Sequence, residues 1–255
     1  MRNIAFISKL FSKLLYNRIF TMRIGLARGL KRRYGFGYKP KLLMTVEERF
    51  LKELDFSDQT VYDIGSYIGI YSLFFARAVG KNGAVISFEP NPSNYRELLF
   101  NISLNNFKNI TPYNLGIGDT VSKMEFVIDP LFPTRGSFAQ QQKAELLRKE
   151  PKSKIIIVDV ASIDELIELE NLPKPTFAKI DAEGAEMNVL IGMRKTLREY
   201  HPTLFIELHG QMCKEMCELL TDLNYCIYHI ENKKKLNLSN YAVSDGHLFC
   251  QRFLV

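Results

Sequence analysis

The chain has 255 residues, 46% of them apolar, enough for one large buried core with a short appendage rather than several independent domains. Its net charge of +6 is unevenly placed: residues 1–46 hold eleven Lys or Arg and no acid, so removing those eleven leaves −5 on everything that follows. An acidic body argues against a nucleic-acid partner, and four cysteines without paired Cys-x-x-Cys spacing argue against a zinc site or a disulfide framework.

From Ile4 to about Leu30, apolar residues recur at near-helical spacing (Ile4, Ile7, Phe11, Leu14, Ile19, Met22, Leu26, Leu30), with Lys9 and Lys13 on the other side. Basic residues interrupt every apolar run, so the pattern predicts neither a membrane span nor a secretory signal. Three readings of this basic helix stand: a peripheral contact of residues 1–33 with the inner, anionic membrane surface of a cytoplasmic protein, a helix packed on the domain or lining the substrate entrance, and an organelle transit segment. Arg32 to Pro40 reads as a linker. Thr45 with Glu48 predicts a capping box that opens a helix.

The stretch Thr60-Val61-Tyr62-Asp63-Ile64-Gly65-Ser66-Tyr67-Ile68-Gly69 runs from a β-branched strand through a glycine-bearing turn into a helical pattern, and Val85 to Phe88 forms a second strand closed by Glu89. This strand, loop, helix and strand predicts a nucleotide site. Gly65 and Gly69 let the backbone pass close to a ligand and turn into a helix whose first N–H groups face it. Glu89, at the end of the second strand, is placed to accept from the two hydroxyls of a ribose. A dinucleotide fingerprint would need glycine where Asp63 stands; a carboxylate there repels a pyrophosphate and suits a cationic ligand with an amino-acid tail, so S-adenosylmethionine fits better than NAD.

Asn94 to Asn105 has helical periodicity, Ile110 to Leu115 reads as a third strand, and Gly118-Asp119 lies in the turn after it, where Asp119 could accept from an adenine amino group. Met124–Ile128 and Ile155–Val160 read as strands flanking a turn-rich insertion, Asp129 to Phe138, with a short helix at 140–150. Ser162 with Glu165 caps another helix. Pro175 to Asp181 is the fourth strand and Thr203 to Glu207 the fifth; residues 225–230 and 247–254 close the chain as strands, with 236–242 irregular between them. Cys213 and Cys217, four apart on a helix, read as buried small apolar groups.

Asp181, Glu183, Glu207 and His209 thus gather at the C-terminal ends of adjacent strands, where an open α/β sheet keeps its active-site crevice. Lys179 and Glu186 read as local partners or solvent-facing groups, and Asp181 has the alternative role of capping the next helix.

On Val61-Tyr62-Asp63-Ile64-Gly65, Phe88-Glu89-Pro90-Asn91-Pro92, Asn101 with Asn105, Gly118-Asp119, Lys179-Ile180-Asp181-Ala182-Glu183-Gly184-Ala185-Glu186 and Phe205-Ile206-Glu207-Leu208-His209, the sequence resembles the FkbM family of S-adenosylmethionine-dependent methyltransferases. The resemblance covers about residues 60–210. It implies a Rossmann-like class I methyltransferase fold: a mostly parallel seven-stranded α/β sheet with helices on both faces, at residues 45–255, behind a basic amphipathic extension at 1–44. It implies O-methylation of a hydroxyl on a sugar, glycan or related natural product. Asp63, Gly65, Tyr67, Gly69, Glu89, Asn91 and Asp181 would then contact the methionine and ribose parts of the cofactor, and Gly118 with Asp119 would border adenine. Ser66-Tyr67 departs from the family's usual small residue and asparagine, bringing a bulky ring into the cofactor loop.

An alcohol is a weak nucleophile, so a base beside it is expected, either His209 or Asp181, with Glu183 and Glu207 orienting it or the substrate. Asp181, Glu183 and Glu207 offer oxygen ligands that suit magnesium, but no ligand spacing requires a metal. Two other readings compete. An NAD-dependent oxidoreductase or epimerase conflicts with Asp63 and with the lack of a Tyr-x-x-x-Lys pair. A non-catalytic nucleotide-binding or membrane-associated scaffold would have no need of the strand-end acids.

Overall fold

Alternation along the strands decides the architecture. In β3 (Thr60–Ile64), Tyr62 and Ile64 point to one side of the sheet and Val61 to the other, and all three are buried. The same holds in β4 (Ala84–Phe88), β9 (Phe177–Ile180) and β10 (Thr203–Glu207), so both faces of the sheet need cover. The computed structural model describes residues 18–33, 43–128, 147–148, 153–209, 213–237 and 243–252. In it α1 (Val46–Glu53) and α2 (Ile70–Ala78) pack on the Val61 face, while α4 (Ile163–Leu169), α5 (Glu186–Gly192), α6 (Arg194–Glu199) and α7 (Cys213–Asp222) pack on the Tyr62 face.

With β5 (Ile110–Tyr113), β11 (Tyr225–His229), β12 (Lys234–Leu236) and β13 (His247–Arg252), these strands form one sheet in the order β12-β11-β13-β10-β9-β3-β4-β5. From β10 to β5 every pairing is parallel; β13, β11 and β12 are joined antiparallel. The expected class I sheet is present, with an eighth strand instead of seven. The addition is β12, a short edge strand carrying two exposed lysines, too brief and too polar for its hydrophobic pattern to reveal it. The third strand stops at Tyr113, and β6 (Gly116–Ile117) joins β7 (Ser122–Ile128) and β8 (Lys154–Ala161) in a separate three-stranded sheet. Ser162 and Glu165 cap α4 as expected, and Glu48 accepts from Thr45 N at 3.1 Å. The insertion at 129–138 and most of the helix expected at 140–150 lie outside the described residues.

The N-terminal helix expected through Leu30 is not what residues 18–33 form. They make an antiparallel hairpin, β1 (Ile19–Thr21) with β2 (Lys31–Arg33). Gly25 and Gly29 explain the difference: both hold φ near +90°, which an α-helix does not contain. Met22, Leu26 and Ala27 are buried in the core beside α2 and serve packing on the domain, while Ile19 and Ile24 are exposed. The remainder of that expected helix, residues 4–17, lies outside the described residues, as does most of the linker at 32–40. Among the described residues no helix is long and apolar enough to cross a membrane.

The hairpin is fastened to α3 (Pro92–Asn105) by a match of periods. Residues four apart on a helix and two apart on a strand are both about 6–7 Å apart. Asn101 Oδ1 therefore accepts from Arg33 N (2.8 Å) and Asn105 Oδ1 from Lys31 N (2.7 Å), while Asn105 Nδ2 donates back to Lys31 O (2.7 Å). The other end of the fully buried Asn101 amide donates to Ile68 O in the loop after β3 (2.9 Å). Asn101→Ala, which leaves buried backbone groups unpaired on both sides, should cost about 1–3 kcal/mol in urea denaturation; a change below a few tenths would show the bridge to be idle.

Candidate functional site

The strand order reverses between β3 and β9, and the loops that leave the C-terminal ends of β3, β4, β9 and β10 converge there. Gly65, at φ +78°, makes the convergence possible. A Cβ on it would lie 1.8 Å from Asp181 O, so only glycine lets the β3 loop cross the end of β9. Gly69, at φ +87°, precedes the first turn of α2. The two non-glycine residues Tyr67 and Glu183 also hold left-handed φ values, +51° and +49°, backbone geometry that concentrates at functional sites.

Between these loops lies a cavity of about 140 Å³. Its apolar wall includes Ile64, Phe88, Leu115, Ile117 and Phe126, and its polar side carries Gly65, Tyr67, Glu89, Asp181 and Glu183. Glu89 is 5% exposed; Oε2 accepts from Tyr67 N and Oε1 from Asn91 N, both at 2.8 Å, and Oε1 also from Asn94 Nδ2 at 3.3 Å. Burial nonetheless outweighs these donors and pushes its pKa up to about 7. Burial also raises the Tyr67 phenol to about 12.

Five of the residues expected at the cofactor stand off this cavity. Asp63 is fully buried beneath α2, where Ser72 Oγ donates to its Oδ2 at 2.5 Å and Ser87 Oγ donates to Ser72 Oγ at 2.9 Å. Gly69 packs against Leu98 instead. Asn91 caps α3 through Ser93 N. Gly118 backs onto Gly192, and Asp119 is exposed and accepts from Asn188.

The four strand-end groups do come together. His209 Nε2 faces Glu183 Oε2 at 3.5 Å, Glu207 Oε1 at 3.8 Å and Asp181 Oδ1 at 4.0 Å. Nδ1 of the same ring lies 3.0 Å from Glu186 Oε1. Burial opposes a charge on His209, but the Glu186 hydrogen bond and the surrounding carboxylates prevail and lift its pKa to about 9. Glu183 is raised to about 7, chiefly by burial.

Of the two readings of Lys179 and Glu186, the solvent-facing one is corrected, since each is 2% exposed, and local partnering holds. Lys179 Nζ sits 3.0 Å from Asp181 Oδ2, 3.9 Å from Asp63 Oδ1 and over the Tyr71 ring. Strand alternation puts it there, since Phe177 and Lys179 share the face that α2 covers. Glu186, not Asp181, holds the turn before α5, accepting from Ala182 N and Gly184 N. His247 carries no sequence motif and is brought in only by β13. It faces Glu207 Oε2 at 3.7 Å and Glu231 Oε1 at 2.7 Å.

A mostly parallel sheet with antiparallel strands at one edge, and a crevice at its switch point holding a ribose-competent glutamate, define a class I methyltransferase architecture. The family described as "Methyltransferase FkbM domain" matches residues 63–227, and the chain belongs to that family, whose methyl donor is S-adenosylmethionine. "Methyltransferase 1" of Beauveria bassiana is 25% identical over 53% of this chain and 59% of its own. "Hexuronic acid methyltransferase AglP" of Haloferax volcanii is 27% identical over 68% of this chain and 66% of its own. The structure of Methyltransferase FkbM from Methylobacillus flagellatus superposes with a TM-score of 0.51 at 21% identity, covering 78% of this chain and 45% of that one. The chain thus spans about half to two thirds of the length of these relatives.

The cavity suits the adenosyl donor: an apolar slot, a carboxylate beside it and a glycine crossing where any side chain would collide. A raised carboxyl pKa means that folding favours the protonated form. Glu89 therefore lends stability fully below about pH 4.5 and loses it as the pH rises through about 7. Ribose hydroxyls donate to the ionised form. S-adenosylhomocysteine should accordingly release a proton on binding between those limits and bind more tightly up to about pH 7; calorimetry in buffers of different ionisation enthalpy checks this. Glu89→Gln should flatten the dependence.

Proposed function

We propose that the chain methylates a hydroxyl group of a sugar, glycan or related small molecule, with S-adenosylmethionine as donor. The observation that carries the reading is the cavity that joins Glu89 to the Asp181–Glu183 strand end. Bound S-adenosylmethionine supplies an electrophilic methyl group. Glu89 accepts from its ribose hydroxyls, the apolar wall holds adenine, and the β3 loop with Asp181 encloses the methionine end. The chain's main contribution is to hold the acceptor oxygen in line with the methyl group, since positioning accounts for much of the rate in such a transfer.

Of the groups around His209, Glu183 and Asp181 reach the cavity wall, and Asp181 is engaged by Lys179. Glu183 is therefore the carboxylate assigned to take the hydroxyl proton, with His209 holding its orientation at 3.5 Å. The sugar acceptor is supported by the Haloferax relative, which its name describes as acting on a hexuronic acid.

Calorimetric titration with S-adenosylmethionine, S-adenosylhomocysteine and NAD should show binding of the first two and not the third, lost in Glu89→Ala. Binding of NAD alone, or of none, would sink the methyltransferase reading. With radiolabelled donor and a panel of uronic-acid and neutral glycosides, Glu183→Gln should lower turnover by about 10²-fold or more while donor binding persists; unchanged turnover would remove Glu183 from the mechanism.

A further inference from the structure

We propose that Asp181, Glu207 and His209 form a binding site for a divalent cation, for which Mn2+, an ion that takes carboxylate oxygens, is the probe. One ligand atom from each lies within 4.8 Å of the others. The arrangement is fixed by the fold rather than by flexible side chains meeting at a surface. β9 and β10 run parallel with Ile180 opposite Ile206, so Asp181 and Glu207 leave adjacent strands at the same level. His209 follows two residues later.

The spacings favour a shared ion over direct pairing. His209 Nε2 stands 3.5 Å from Glu183 Oε2, 3.8 Å from Glu207 Oε1 and 4.0 Å from Asp181 Oδ1, each longer than an ordinary N–H···O hydrogen bond. Donors each bonded at about 2.1 Å to one ion lie roughly 3–3.5 Å apart, a small contraction from this geometry. The ring is also set in advance. Nδ1 is held at 3.0 Å by the buried Glu186, itself fixed by two backbone N–H groups, which turns Nε2 toward the carboxylates. Ligating histidines are commonly oriented by a carboxylate on the other nitrogen in this way.

A buried atom outside the set points the same way. Asp63 Oδ1 has no hydrogen-bond partner, although the side chain is fully buried, and it faces Lys179 Nζ across 3.9 Å. The ammonium is drawn instead to Asp181 Oδ2 at 3.0 Å. One buried cation is thus divided between two carboxylates. A second positive charge on Asp181 releases Lys179 to close on Asp63, satisfying the orphaned oxygen. The neighbouring set of Glu47, Glu231 and His247 is a poorer host, because Glu231 is exposed and already engages both His247 N and Nδ1.

Such an ion would bind an acceptor through two adjacent oxygen atoms and lower the pKa of the one to be methylated, a consequence that rests on the hydroxyl-acceptor reading above. Cation binding itself does not rest on it. The test uses the full chain freed of metal by a chelator and titrated with Mn2+, read by electron paramagnetic resonance. The expected result is one Mn2+ per chain, with electron spin echo modulation from a coordinated imidazole nitrogen. Glu207→Gln and His209→Gln should each weaken binding at least about tenfold, Glu186→Gln by a similar factor, and Glu47→Gln should not. Circular dichroism and S-adenosylhomocysteine titration of the same samples show whether each variant is folded. No saturable binding below about 1 mM overturns the proposal. So does the lack of nitrogen coupling in the unmutated chain, or binding that survives Glu207→Gln and is lost in Glu47→Gln. If Mn2+ binds as described but adenosyl ligands do not, the donor reading fails and the cation site stands.

Discussion

A buried ammonium group organises the C-terminal end of the parallel strands. Lys179 is carried on a central strand, 2% exposed, under the ring of Tyr71 and between Asp63 and Asp181. An isolated charge in such a place would cost many kcal/mol, and so would either carboxylate alone. Their mutual presence is what permits all three. Around them the hydroxyls of Ser72 and Ser87 extend the polar layer beneath α2, so the helix that follows the donor loop rests on hydrogen bonds as well as on Phe75 and Leu73. Asp181 is therefore held at the cavity wall from behind by Lys179, while its backbone carbonyl is crossed by Gly65 in front.

From this core the site grades outward in charge. The wall nearest β4 is apolar apart from Glu89, which suits an aromatic base and a ribose. Beyond Asp181 the carboxylates of Glu183, Glu186 and Glu207 surround one imidazole, and Glu207 passes the pattern on to His247 and Glu231. The two ends call for different partners: a nucleoside at one, and positive charge or hydroxyl donors at the other.

The residues whose positions were legible from the sequence are those placed by strand periodicity and short spacing. Glu89 at the end of β4, the glycine of the β3 turn, and the acids after β9 and β10 follow from counting along the chain, and each is found at the switch point. Asp63 shows the limit of that reasoning. Its position near the end of β3 marks the motif, but alternation turns its side chain under α2 and not into the cavity. Lys179 and Glu186 looked like surface charges because hydrophobicity patterns register a buried ion only through its partners, and those lie on other strands and loops. His247 comes from a strand far along the chain, and nothing local marks it. The hairpin at 19–33 was hidden because its apolar residues satisfy a helical period, and the two glycines that forbid the helix had to be weighed against it. β12 is short and charged, and pairing with β11 defines it.

Asn101 has a consequence for how the molecule moves. Its amide reaches the hairpin backbone with one end and the donor loop, at Ile68, with the other. Segments fastened through a shared buried group open and close together, because neither can separate without stranding a polar atom. The β3 loop and the N-terminal hairpin thus belong to one cooperative unit, and protection of their amides from exchange should rise and fall in step. Ordering of the β3 loop would then be felt at the hairpin with no need for a rearrangement of the sheet.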